Sequence, residues 1–208
     1  MKCRTQEDDM KPITIKTIPA TLAIAALLAG CAGADFKRPE PTSLKLGESH
    51  AADVTRVMGP ATRTGESTVN GQQIKTQTYA YANTTGDTLY SGVTGARSQA
   101  FSLWNDTLVG ESFVSSFKVD GTDFDDKKVP GIVKGTSTKA DVIGMLGKPT
   151  GHAIYPVVKT QGNSAIVYQY TQVKGSPFNM SVYSKTLTVE LDPKDVVADV
   201  TFVSNGSK

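Results

Sequence analysis

The chain has 208 residues, with 22 lysines and arginines against 20 aspartates and glutamates, a formal net charge of +2 and 38% hydrophobic residues. No basic run or patch stands out, which excludes nucleic acid as the expected partner. Length and apolar content allow one ordinary domain or two small ones.

The first thirty residues read as an address. Lys11 and Lys16 give a positive start, and Ile18 to Ala29 is an apolar, Ala/Leu-rich run broken only by Pro19 and Thr21. The run is shorter than the ~20 residues a spanning helix needs and fits a secretory h-region. Glu7, Asp8 and Asp9 do not suit the charged start of such a segment, so Met10 is the expected start of translation and residues 1–30 the signal peptide. Leu28-Ala29-Gly30-Cys31 closes the h-region. It resembles the bacterial lipobox. That resemblance implies signal-peptidase recognition by Leu28, Ala29 and Gly30, and a lipid (palmitate included) on Cys31. With Ala32 rather than Asp next, it also implies sorting to the outer membrane. The alternative is the A-x-A site Ala32-Gly33-Ala34, where cleavage would release a diffusible periplasmic protein. Cys3 leaves with the leader and Cys31 is lipidated, so no disulfide is expected. Residues 31–42, with Pro39 and Pro41, read as a lipidated tether with a reach of roughly 30 Å.

The remaining chain repeats itself. Gly47 to Thr62 aligns with Gly135 to Thr150, sharing Gly, Ser, Ala-Asp-Val, Gly and Thr positions. Ser49 and Ser137 are N-cap candidates, and Asp53 and Asp141 favour the helix dipole. Val54, Val57 and Met58, like Val142, Met145 and Leu146, recur at helical spacing. Gly59 and Gly147 stop the helix, and Pro60 and Pro149 prevent its continuation. Strand chemistry follows in both copies. Ile74 to Tyr81 matches Ala165 to Tyr170, pairing Tyr79 and Tyr81 with Tyr168 and Tyr170. Hairpins come next, over Phe101 to Val114 and Thr186 to Val203. The expected domains are repeat 1 over 43–118, a polar linker over 119–130 and repeat 2 over 131–208.

The run Lys134-Gly135-Thr136-Ser137 to Val142, then Leu146-Gly147-Lys148-Pro149, Tyr168-Gln169-Tyr170 and Leu187 to Val200 resembles the SmpA/OmlA (BamE-like) family of outer-membrane lipoproteins. The resemblance implies an α+β fold, here as two tandem repeats, each a helix pair packed on a small antiparallel sheet. Tandem copies are also similar in architecture to the β-lactamase inhibitory proteins.

Catalytic patterns fail one by one. Asp120 to Asp126 lacks the Gly and Glu of an EF-hand. Gly110-Glu111-Ser112-Phe113-Val114 has Val where a nucleophile elbow needs Gly. His50 and His152 have no ligand-spaced partner. The chain is therefore expected not to be an enzyme and to carry no cofactor or metal beyond the lipid on Cys31. The aromatic residues Tyr79, Tyr81, Trp104, Tyr168 and Tyr170 are the candidate partner-binding set. An exposed tyrosine face would make a binding surface, whereas a face under the helices would make them core. The expected protein is an outer-membrane lipoprotein with a periplasmic body, anchored to the membrane by lipid. It would serve as a protein-binding scaffold or accessory factor in envelope biogenesis, with an envelope protein as partner. The alternative is a periplasmic inhibitor-like or ligand-binding module using a concave aromatic sheet.

Overall fold

The computed structural model describes residues 33–176 and 179–206. Leu28, Ala29, Gly30 and Cys31, with the rest of the expected signal peptide, lie outside the described residues.

From Gly33 onward the chain builds one curled, antiparallel eight-stranded sheet in sequential order, a β-rich half-barrel. Helix α1 (Ala51–Met58) precedes β1 (Arg63–Val69), β2 (Gln72–Asn83), β3 (Gly95–Trp104) and β4 (Thr107–Ser115). Helix α2 (Lys139–Leu146) precedes β5 (Gly151–Ile154), β6 (Ser164–Ser176), β7 (Asn179–Leu191) and β8 (Val197–Asn205).

The expected α+β fold of two helix-pair-on-sheet repeats is therefore corrected. Each half holds a single eight-residue helix. The two four-stranded halves merge because β4 pairs with β5, placing Gly110, Glu111 and Ser112 against Ala153, His152 and Gly151. Among the described residues no second α-helix forms in either half, because the chain before each helix is spent on a strap, which in the second half includes a 3-10 helix, Asp126–Gly131. These segments are rich in Pro, Gly and Asp, which disfavour a helix interior. The strap instead lays one aromatic ring on the sheet.

The two straps match. Asp35 accepts a hydrogen bond from the Phe36 N–H (2.8 Å) and Asp123 from the Phe124 N–H (2.9 Å). Phe36 meets Tyr79 at 6.4 Å between ring centroids, and Phe124 meets Tyr168 at 5.8 Å. A buried cation bonds each Phe carbonyl. Arg97 donates to Phe36 at 3.0 Å, and Lys185 donates to Phe124. Further along, the Arg38 guanidinium sits 5.5 Å over the Phe113 ring and donates to the Thr150 carbonyl at 3.1 Å. The stretch expected to be a free tether, and the linker over 119–130, thus both pack on the body. Prolines made residues 31–42 read as a free tether, but Phe36 and Arg38 have partners in the core.

The helix ends repeat as well. Ser49 and Ser137 do not cap. They accept bonds from Lys45 N–H and Val133 N–H, each at 2.9 Å, in the turns before the helices. The N-caps are His50 and Thr138. Asp53 accepts from the His50 N–H at 2.9 Å, and Asp141 from the Thr138 N–H at 2.8 Å. The Thr138 hydroxyl also donates to Asp141 at 2.8 Å, and the backbone bond first, then the hydroxyl bond, hold the Asp141 carboxyl below its usual range. Gly59 and Gly147 end the helices at φ of 79° and 83°, where a side chain would be strained.

Candidate functional site

Alternation along the strands gives the sheet two faces with different chemistry. One face is covered by the helices and straps. Across its middle run Gln77, Phe101, Glu111, His152, Ile166 and Val189, joined by register. Val54, Tyr79, Phe101, Leu103 and Leu108 form one core cluster on this side, and Val142, Ile166, Tyr168, Leu187 and Val189 belong to another.

The opposite face is open. A continuous row crosses it through Thr78, Ala100, Ser112, Gly151, Val167 and Thr188, ending at Arg63 on β1 and Thr201 on β8. A second row holds Ala80, Ser98 and Val114, with Gln169 and Thr186 beyond. From β2 to β7 these side chains are half-buried, as expected for small groups on an open sheet face, Gly151 is buried, and Arg63 and Thr201 at the ends are exposed. Apart from Glu190 at one end of β7, the described residues of this face from β2 to β7 carry no charge. Depletion of charge marks the centre of protein interfaces better than hydrophobicity does. A solvated sheet face of this size would ordinarily mix both signs of charge.

One end of the open face is walled by the β5–β6 loop. Asn70 donates to the carbonyls of Pro156 and Val158 at 2.9 and 3.2 Å. Tyr155 stands edge-on to Trp104, with ring centroids 5.7 Å apart. Val158 packs on Ala153 and Ala165. Trp104 Nε1 donates to Gln72 at 3.2 Å, leaving the indole half-buried. The other end carries the exposed apolar residues Met180, Val182 and Val203.

The five aromatic candidates do not form one surface. Tyr79, Tyr168 and Tyr170 are buried under the helices and straps. The Tyr79 hydroxyl donates to the Gly59 carbonyl at 2.9 Å and the Tyr168 hydroxyl to the Gly147 carbonyl at 2.8 Å, tying each helix end to the sheet. Burial pushes the Tyr79 phenol up, and the Tyr168 phenol up to about 12. Tyr81 is half-buried on the same covered face and stacks on Phe117, with 6.0 Å between centroids. Only Trp104 faces the open side. The tyrosines are core because their register places them opposite Gln99, Arg97, Leu187 and Lys185 on the covered face. The aromatic partner-binding set is corrected accordingly.

The titratable groups on the covered face hold the straps. Lys185 lies 2.8 Å from Asp123 and 2.9 Å from Asp126, with its ammonium 4.4 Å over the Phe124 ring. Burial would lower its pKa, but the hydrogen bonds and charges of the two aspartates outweigh that and raise it. Arg97 bridges Asp120 at 3.2 Å and lies 4.8 Å over Phe117. Between the two helices, His152 and Glu111 meet at 3.2 Å beside a groove of about 360 Å³ walled by Leu44, Leu46 and Ile154. Among the described residues no three His, Cys, Asp or Glu side chains gather as a metal would require. No protein-family model matches the chain, and neither a curated protein nor a solved structure matches it.

The open face escaped sequence reading because Ser, Thr and Ala carry no recognisable chemistry. A signal was present: Thr76, Thr78, Ala80 and Ala82 alternate with Gln77, Tyr79 and Tyr81, small against large.

Proposed function

We propose that this chain is an outer-membrane lipoprotein whose periplasmic body is a non-catalytic binding scaffold or accessory factor in envelope biogenesis. The observation that carries the binding reading is the uncharged row of small side chains across six paired strands, β2 to β7. Such a surface offers a partner a broad, rigid platform with little desolvation cost, since it holds no charge to strip of water. The envelope location rests on Leu28-Ala29-Gly30-Cys31 closing an apolar run. Among the described residues no helix is long and apolar enough to cross a membrane, so attachment rests on the lipid at Cys31. The lipobox resemblance implies three acyl chains on Cys31, two through its sulfur and one on its nitrogen, more than the two signals that stable anchoring needs.

A concave aromatic sheet was the basis of the alternative, an inhibitor-like or ligand-binding module. Burial of Tyr79, Tyr168 and Tyr170 removes that basis.

Two measurements test the proposal. Acyl labelling of wild type beside Cys31→Ser, with membrane fractionation, tests the anchor. Label and membrane association are expected to vanish together in the variant, and an unlabelled, soluble wild type rejects the anchor. A photo-reactive residue in place of Ala100 or Thr186 tests the surface. Crosslinking to one envelope protein from these positions, and not from exposed Lys148 on the helix side, is expected. Equal crosslinking from both sides, or none, rejects the open face as the binding surface.

A further inference from the structure

The junction between the halves of the sheet has two unfilled counterparts at its ends. Inside the chain, the outer edge of β4 receives β5: Ser112 lies opposite Gly151, and the Phe113 N–H donates to the Thr150 carbonyl at 2.9 Å. The spacing that carries Gly47 onto Gly135 also carries Arg63 on β1 onto Gly151 and Thr62 onto Thr150. The threonines act alike. The Thr150 hydroxyl accepts from Gln169 N–H at 2.9 Å, and the Thr62 hydroxyl from Ala80 N–H at 3.3 Å. At the other end, Phe113-Val114-Ser115 on β4 corresponds to Phe202-Val203-Ser204 on β8. The outer edge of β8 is thus the counterpart of the edge that accepts β5, and the outer edge of β1 is the counterpart of the edge that β5 offers.

We infer that a second copy of this chain docks head to tail, the β8 edge of one copy receiving the β1 edge of the next, as β4 receives β5. Three observations support this occupant. First, Phe113 is 2% exposed at the filled junction, whereas its counterpart Phe202 is 38% exposed and Val203 is 50% exposed. Second, β8 lacks the usual protection of an edge strand: Val200-Thr201-Phe202-Val203-Ser204 has no charge and no proline. The start of the strand is covered, with Val197 bonded to Gly135 and Ser137 and Asp199 held by Lys134 at 3.3 Å, and that cover stops there. Third, the charges match. The β4–β5 register sets Thr201 opposite Arg63 of the next copy and Asp199 opposite its Gly65. Asp199 then lies diagonal to that Arg63 on the same face, and diagonal cross-strand neighbours interact. Glu66 of the next copy falls opposite Ala198, beside Lys134. Two copies joined in this way continue the sheet, with the Arg63–Asp199 pair on the open face at the seam. The contact is heterologous, using different edges on the two copies. It does not depend on the lipid anchor.

The test uses cysteine, since the described body has none. Ser112 and Gly151 form a non-hydrogen-bonded pair, the closer type. A Cβ on Gly151 would run into the Glu111 carbonyl oxygen, so with Arg63 at the corresponding place the β1 edge sits farther out than β5 does, and Thr201 and Arg63 of neighbouring copies are the pair to test as a disulfide. Full-length Thr201→Cys and Arg63→Cys proteins are oxidised alone and mixed, with the parent chain oxidised in parallel to subtract any disulfide through Cys31. A mixed disulfide dimer that forms only on mixing is expected. A Thr201→Cys homodimer would mean that β8 edges pair with each other and would overturn the proposal. Sedimentation of the parent gives a second reading: association rising with concentration, and lost in Phe202→Glu, is expected. A monomer at every concentration with no mixed disulfide overturns it.

Discussion

Tyr168 and Lys185 each hold a helix or a strap to the sheet through one polar atom, and each sets a limit at high pH. The Tyr168 phenol is raised to about 12 from an unfolded value near 10. A group with a raised folded pKa adds stability that is whole below the unfolded pKa and is lost as pH climbs through the folded one. Stability should therefore fall between about pH 10 and 12, and Tyr168→Phe should flatten that fall. At neutral pH the same variant leaves the Gly147 carbonyl without its hydroxyl donor and should cost about 1 kcal/mol, read by urea unfolding. Lys185 is also raised, so its contribution is lost only above its ordinary value near 10.5. Lys185→Met at neutral pH leaves Asp123 without its ammonium partner. Removal of one member of a buried pair costs about 3 kcal/mol, and a loss under about 1 kcal/mol would show that Asp123 is satisfied otherwise. Little of this was legible at the residue level: the tyrosines were found by repeat spacing, but nothing in the local sequence marks Arg97 and Lys185. Their role depends on straps distant in sequence.

Among the elements, the helices were the most legible and the straps the least. Capping residues, an apolar stripe and a stop glycine are local signals, and α1 and α2 end at the glycines expected. The N-caps fell one residue later than expected, at His50 and Thr138, because Ser49 and Ser137 are used by the preceding turns. The straps have no periodicity. Only the recurrence of Asp35-Phe36 as Asp123-Phe124 marks them, at the spacing of the larger repeat, and that pair lies outside the boundaries drawn from the helices. With Phe36 packed on the first core cluster, the chain from Phe36 onward belongs to the body rather than to the expected tether. Phe36→Ala should lower stability by about 1–2 kcal/mol, below the range for a fully buried Phe because Phe36 is half-buried. It should also open residues 35–41 to proteolysis without changing cleavage elsewhere. Resistance equal to wild type would mean that Arg38 and Arg97 hold the strap alone.

For the molecule as a whole, the deciding contact is the shortest one. Strand β5 has four residues, too few for alternation to be read, yet through Gly151, His152 and Ala153 it turns two sheets into one. The tandem pattern was legible and the union was not, because strand pairing across a repeat boundary leaves no mark in local sequence. That union produces the open face, whose row of small side chains is continuous only if β4 and β5 pair. The face can be tested without knowing its partner. Ala100→Glu puts one charge at the centre of the row, on a half-buried position whose methyl side chain makes no hydrogen bond. A surface substitution of this kind changes stability by about 0.5 kcal/mol or less, while a charge desolvated inside an interface costs several-fold more. Unchanged urea unfolding with at least tenfold weaker crosslinking from Thr186 is therefore expected. Lys148→Glu on the helix side should leave crosslinking as it was. If both variants weaken it alike, long-range charge drives the association and the uncharged row is not its contact surface.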